Sequence, residues 1–254
     1  MSLSSDSLES FFRSSGRIAI ACSGGTDSTF LVHEGAKMGA DIVPIIIRSQ
    51  LACHGEVEGA VEFCRSQGVE PVVVDVDAMS VEGLLANGPD RCYLCKKAMF
   101  GAVTAKAREL GCDVVADGTN ASDPVEDRPG MRALAEMGVR SPLRDAGLTK
   151  SQIRRLSRTE RLSTWNKLSN SCLATRVATG VRITPEIVER VGNSEDAIGL
   201  LGFTGFRVRT DGTDARLELR ASEREAAVRR IDEIRKAVSP WFDDISISEV
   251  TRDG

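Results

Sequence analysis

Short apolar runs alternate with amphipathic stretches through roughly the first two thirds of the chain. Residues 5–15 read as a leading helix, Ile18–Cys22 as an apolar strand, and Thr29–Met38 as a helix. Asp41–Ile47 is almost continuously apolar, as expected of a strand covered on both faces. Glu56–Gln67 places Val57, Ala60, Val61 and Cys64 on one helical side and stops at Gly68. Pro71–Val76 reads as a third strand, Tyr93–Leu110 as a long helix closed by Gly111, and Asp113–Ala116 as a fourth strand. Gly138–Leu143 reads as a fifth strand, and Thr149–Arg161 as a helix capped by Thr149. Alternating strands and helices predict an α/β fold, a doubly wound parallel sheet with its ligand at the carboxyl ends of the strands.

The pattern changes after Trp165. Thr184-Pro185-Glu186 is a helix start with proline at the first helical position, and that helix runs to Gly202. Two short strands follow, Phe206–Arg209 and Arg216–Leu219, then a charged amphipathic helix over Ser222–Val238 and a last strand, Asp244–Val250. These predict a smaller α+β C-terminal domain. The division falls between 160 and 180 and is drawn as 1–165 and 166–254.

The 254 residues suffice for one large domain or two modest ones, with 41% hydrophobic and 28% charged residues. No run is long and apolar enough to span a bilayer and the N-terminus has no signal-peptide pattern, so no membrane is expected and a cytoplasmic location is. A net charge of -4 weighs against tRNA or another nucleic acid as partner. Seven cysteines in such a chain are expected as thiols, metal ligands or catalytic groups rather than disulfides.

The stretch Ser23-Gly24-Gly25-Thr26-Asp27-Ser28 joins a strand to a helix. Two glycines let the backbone approach an anion, free N–H groups at the helix start point at it, and Ser23 and Ser28 add hydroxyls. The run lacks the lysine of a Walker A loop and the spaced glycines of a dinucleotide fingerprint. It looks like the SGGxDS signature of the PP-loop ATP pyrophosphatases, which cleave ATP between the α and β phosphates, transfer AMP and release pyrophosphate. Asp27 suits either a Mg²⁺ ligand or a helix cap. Ser49, after Arg48 at the end of the second strand, suits adenine or ribose or is a plain loop residue. Asp117, in Asp117-Gly118-Thr119-Asn120, suits ribose or magnesium or simply makes a turn. Arg128, in Asp127-Arg128-Pro129-Gly130, suits a phosphate or carboxylate or a buried ion pair.

Cys22, Cys64 and Cys112 lie in or beside apolar elements and read as core fillers, and Cys53, next to His54, stays open. Cys92 and Cys95 form a C-x-x-C pair at a helix start, followed by Lys96-Lys97, a setting that favours thiolate. Cys172 sits at the domain junction. Three thiolates lack the fourth protein ligand of a structural zinc site but fit a [4Fe–4S] cluster with one open iron, and a redox dithiol competes. Arg207 and Arg209 share one strand face, forming either a phosphate clamp that Arg176 could join or a solvated face.

The chain resembles the LarE family of PP-loop sulfur transferases. The resemblance rests on Ser23–Ser28, Lys96–Phe100, Ala116–Asn120, Asp127–Ala133, Arg140–Leu143, Thr164–Lys167, Ala174–Gly180 and Leu201–Arg209, which cover nearly the whole chain in order. It implies an ATP·Mg²⁺-dependent reaction that adenylylates a carboxylate of pyridinium-3,5-biscarboxylate mononucleotide and converts it to a thiocarboxylate, twice, for a nickel-pincer cofactor. It implies Lys96 near the reacting centre, substrate contacts at Arg176, Glu195, Arg207 and Arg209, a sulfide donor, and a homo-oligomer. One branch of the family sacrifices a single cysteine; that branch has tryptophan where Cys92 stands and its cysteine where Ser171 stands. The resemblance therefore implies the other branch, a cluster on Cys92, Cys95 and Cys172. A sacrificial Cys172 and a tRNA-thiolating PP-loop enzyme are the alternatives.

Overall fold

The computed structural model describes residues 3–123 and 129–251. The chain divides into two compact units. One comprises residues 1–49, 55–78 and 92–167, and the other 50–54, 79–91 and 168–254.

The first unit carries helix α1 (Leu3–Ser14), strand β1 (Ile18–Ala21), helix α2 (Thr26–Lys37), strand β2 (Ile42–Arg48), helix α3 (Glu56–Ser66) and strand β3 (Val72–Asp75). Then follow α4 (Arg91–Glu109), β4 (Val114–Ala116), α5 (Pro129–Glu136), α6 (Pro142–Asp145) and α7 (Lys150–Thr159). The four strands are all parallel, in the order β3-β2-β1-β4. Ile18, Ala19, Ile20, Ile45 and Ile46 are buried, which explains the near-continuous apolar reading of β1 and β2. The order reverses at β1, so the crevice beyond the ends of β1 and β4 is the switch point of this mixed α/β sheet.

The expected fifth strand is not a strand. Arg140 forms a single bridge to Ala116, donating to the Val115 carbonyl and accepting from Asp117 N–H, both at 2.9 Å. Pro142 then opens α6, and a residue without an N–H cannot extend the ladder. Helix α5, which is not among the elements expected from the sequence, begins with Pro129 at its first helical position. Among the described residues no helix is long and apolar enough to cross a membrane.

The second unit contains α8 (Pro185–Leu200), β5 (Arg207–Thr210), β6 (Ala215–Leu219), α9 (Ala221–Arg229), α10 (Ile231–Val238) and β7 (Ile245–Thr251). Strand β6 is central, antiparallel to β5 and parallel to β7. The helix expected over 222–238 is two helices. Arg230 leaves helical geometry at φ -111°, donates to the Leu201 carbonyl at 3.1 Å and lies 5.1 Å over the Phe203 ring.

Candidate functional site

Strand β1 delivers Ser23–Ser28 to the switch point. Gly24 has φ +72°, and a Cβ there would lie 3.0 Å from the Ala60 Cβ, so both backbone and space call for glycine. Gly25 is different: its φ of -79° suits any residue, and a Cβ would meet only Ser23 Oγ at 3.6 Å. The chain's own atoms do not require glycine there, and the missing side chain leaves the start of α2 open to an approaching anion. Gly25 is the N-cap of α2 and no side chain caps that helix, so its first N–H groups face this open space. Ser23 is exposed, while the buried Ser28 hydroxyl accepts from Ser23 N–H and donates to the Gly25 carbonyl, both at 3.2 Å.

The loop is braced from behind. Thr26 Oγ1 donates to the Thr164 carbonyl at 2.8 Å, Thr29 and Thr164 hydroxyls meet at 2.7 Å, and Lys167 Nζ donates to the Gly24 carbonyl at 3.0 Å and to Glu56 at 2.7 Å. From β4, Gly118 passes so close that a Cβ would lie 2.7 Å from Ser28 N. Asp117 is buried with its carboxylate committed to the loop: it accepts from Thr119 N–H at 3.2 Å, from the Thr119 hydroxyl, and from Ser141 Oγ at 2.8 Å.

Asp27, in the first turn of α2, keeps one carboxylate oxygen uncommitted. Its Oδ2 accepts from Lys150 Nζ at 2.7 Å and Asn120 Nδ2 at 3.4 Å; its Oδ1 is buried without a hydrogen-bond partner. Burial pushes the Asp27 carboxyl above its ordinary value, with Lys150 pulling the other way. An orphaned, partly neutralised carboxylate oxygen beside an anion cradle fits a divalent cation such as Mg²⁺. Lys150 was not among the expected residues. Its signal was positional: it follows the Thr149 N-cap, whose capping box with Gln152 fixes where α7 starts. Ser49 lies just past the end of β2, and Arg128 lies outside the described residues.

Cys92 is exposed and Cys95 half-buried, three residues apart and so on one face at the start of α4. Lys96 follows, its stem so close to Gly130 that a Cβ there would lie 3.0 Å from Lys96 Cδ.

In the second unit, Cys172 caps a short 3₁₀ turn, Leu173–Arg176. Arg176 is fully buried and its donors are used inside the chain. It pairs with both Glu195 oxygens at 2.9 and 3.1 Å, and donates to the Ser171 carbonyl at 2.6 Å, Ser171 Oγ at 3.0 Å and Asn170 Oδ1 at 2.7 Å. Burial disfavours the Arg176 charge, but Glu195 outweighs it and raises the pKa. Glu195 also accepts from Val208 N–H at 2.9 Å, and Arg207 donates to the Ser169 carbonyl at 3.2 Å. Arg209 pairs with Glu218 at 2.9 Å and donates to the Thr175 carbonyl. The three expected arginines thus converge on the loop that carries Cys172. Cys53 joins them, donating to the Ser171 carbonyl at 3.4 Å, with Leu173 N–H on the Leu51 carbonyl at 2.9 Å.

A parallel sheet whose switch point holds an SGGxDS loop, an uncapped helix start and a buried acid defines a nucleotide-binding α/β protein of the PP-loop class. No family model matches the chain. It is 34% identical over 215 residues to the uncharacterized protein slr1717 of Synechocystis, covering 84% of this chain and 80% of that one. It is 30% identical over 205 residues to the pyridinium-3,5-bisthiocarboxylic acid mononucleotide synthase of Lactiplantibacillus plantarum, covering 80% and 74%. An uncharacterized protein of Methanocaldococcus jannaschii, MJ0830, is 30% identical over 76% of this chain and 73% of its own. The chain belongs to the LarE family, that of the pyridinium-3,5-bisthiocarboxylic acid mononucleotide synthase.

Proposed function

We propose that the chain is an ATP-dependent sulfurtransferase that acts on pyridinium-3,5-biscarboxylate mononucleotide. The observation that carries this is the Gly25 opening over the uncapped start of α2, beside the orphaned Asp27 Oδ1. The backbone N–H groups of α2 hold ATP phosphates, and Asp27 holds Mg²⁺, which neutralises phosphate charge when bound. Ser23 and Ser49 line the nucleotide, while Asp117 shapes the loop under it; Arg128 is offered to phosphate. A substrate carboxylate oxygen attacks the α phosphorus, the bond to the β phosphate breaks, and pyrophosphate leaves. Sulfur then attacks the acyl carbon, the C–O bond to AMP breaks, and AMP leaves with the electron pair. In this reading Lys96 steadies negative charge at the reacting carbonyl.

Cys92 and Cys95 present two thiols from one helical turn, and Cys172 sits on a loop pinned by arginines. In our proposal these three thiols are the ligands of a [4Fe–4S] cluster, which would supply a sulfide nucleophile when bound. In that reading Arg207 and Arg209 take the substrate phosphate, and Arg176 and Glu195 position the Cys172 loop. The protein works on a small molecule in the cytoplasm as a homo-oligomer, with a separate sulfide donor.

Two measurements test the proposal. Anaerobically purified protein is expected to contain iron and acid-labile sulfide, lost in Cys92→Ala, Cys95→Ala and Cys172→Ala. Pyrophosphate release from ATP should require the pyridinium substrate. Iron-free protein that still thiolates the substrate once per chain would replace the cluster by a sacrificial Cys172. A thionucleoside formed in tRNA would overturn the substrate.

A further inference from the structure

At the opposite end of α2 from the phosphate loop, His33, Glu34 and Glu160 converge. His33 Nε2 lies 4.0 Å from Glu34 Oε1 and 3.6 Å from Glu160 Oε2. Among the described residues this is the one set of three histidine, cysteine or carboxylate groups with ligand atoms within 4.8 Å of one another. Glu160 is the C-cap of α7, so two helices contribute.

A chain of hydrogen bonds fixes the imidazole. Ser66 Oγ donates to the Phe63 carbonyl at 2.6 Å, and Gln67 Nε2 donates to Ser66 Oγ at 3.0 Å. That turns Gln67 Oε1 toward His33 Nδ1 at 2.7 Å. An amide oxygen only accepts, so Nδ1 carries the hydrogen and the neutral ring keeps its lone pair on Nε2. Nε2 is buried without a hydrogen-bond partner. One nitrogen lone pair and two carboxylate oxygens therefore lie within 4.8 Å of one another, with the Lys37 ammonium beside the two carboxylates. A histidine oriented through its other nitrogen is the usual support of a metal ligand. Bonds of about 2.1 Å in a tetrahedron place ligands roughly 3.4 Å apart, close to the spacings here. Lys37 Nζ bonds the other Glu160 oxygen at 2.5 Å, leaving Oε2 to the ion, and lies 3.9 Å from Glu34 Oε1, a longer pairing that the ion would displace.

We propose that His33 Nε2, Glu34 Oε1 and Glu160 Oε2 bind a first-row divalent transition metal of the zinc type, with water completing its shell. Imidazole with carboxylate selects such ions over Ca²⁺ or Mg²⁺. His33 stands six residues beyond Asp27, about 9 Å along the helix, so the ion is separate from any at Asp27. It ties α2, α7 and the end of α3 together.

The test uses the full chain carrying Cys92→Ser, Cys95→Ser and Cys172→Ser, which removes thiolate competition, stripped with chelator and titrated with Zn²⁺ at pH 7.5 by calorimetry. One equivalent should bind and raise the melting temperature. His33→Gln should lose both the equivalent and the thermal shift, and Gln67→Ala should weaken binding about tenfold or more. Lys37→Met, which removes the competing cation, should tighten it. No bound equivalent in the parent, or one bound equally by His33→Gln, overturns the proposal.

Discussion

At Asp27 one carboxylate oxygen is held by Lys150 and the other is buried and unpartnered, and the balance between burial and the lysine sets its titration. Burial wins, so the ionised form is lost at a higher pH than for an ordinary aspartate. Lys150 is the principal group pulling the pKa down, so Lys150→Met should move the titration higher still. An NMR titration of the Asp27 carboxyl reads both; a midpoint at or below the ordinary range, or no upward move in the variant, contradicts the balance. Arg176 poses the opposite case, a buried charge whose bonds are all met. Removing one partner of a buried ion pair strands the other, so Arg176→Ala should lower stability by about 3–5 kcal/mol in urea unfolding. The sequence showed Arg176 as a phosphate candidate because an arginine's charge is legible and its burial is not. Lys150 was missed for the mirror reason: its partner is 123 residues away.

Among the elements, two glycines separate close approach from mere permissiveness. Gly118 lies against the first turn of α2, and a Cβ there would sit 2.7 and 2.9 Å from backbone atoms of Ser28 that cannot give way alone. Gly118→Ala should cost about 1–3 kcal/mol and weaken ATP binding. Gly59 sits exposed within α3 with nothing near its missing Cβ. Gly59→Ala should instead stabilise by about 0.5–1 kcal/mol, and thermal unfolding of the two variants separates the cases. The buried strands and the Thr149 cap were legible because apolar runs and capping chemistry are local. The fifth strand failed because Gly138–Leu143 carries an apolar signal that Pro142 overrides. The break at Arg230 was illegible because it depends on Leu201 and Phe203, far away in sequence.

For the molecule as a whole, a cut near residue 165 looks natural from the change of pattern, but the path of the chain argues against it as a place to divide the protein. The C-terminal unit takes in 50–54 and 79–91 as well as 168–254, so the chain passes between the two units five times. Those inserted segments are held by bonds from beyond residue 167. Leu173 N–H donates to the Leu51 carbonyl at 2.9 Å, Ile183 N–H to the Leu85 carbonyl at 2.9 Å, and Asn87 Nδ2 to the Ala178 and Val181 carbonyls at 2.8 and 2.9 Å. Leu51, Leu84 and Asn87 are buried in the whole chain. A fragment ending at Lys167 would keep the phosphate loop and its brace yet expose two leucines and strip the Ala178 and Val181 carbonyls from Asn87 Nδ2, a cost in both apolar area and unmet hydrogen bonds. Fragment 1–167 should therefore melt well below the full chain and aggregate on concentration, even though every residue expected to touch ATP is present. If it unfolds at the full chain's temperature as a soluble monomer, the inserted segments do not depend on the C-terminal partners and the division at 165 stands as the better description.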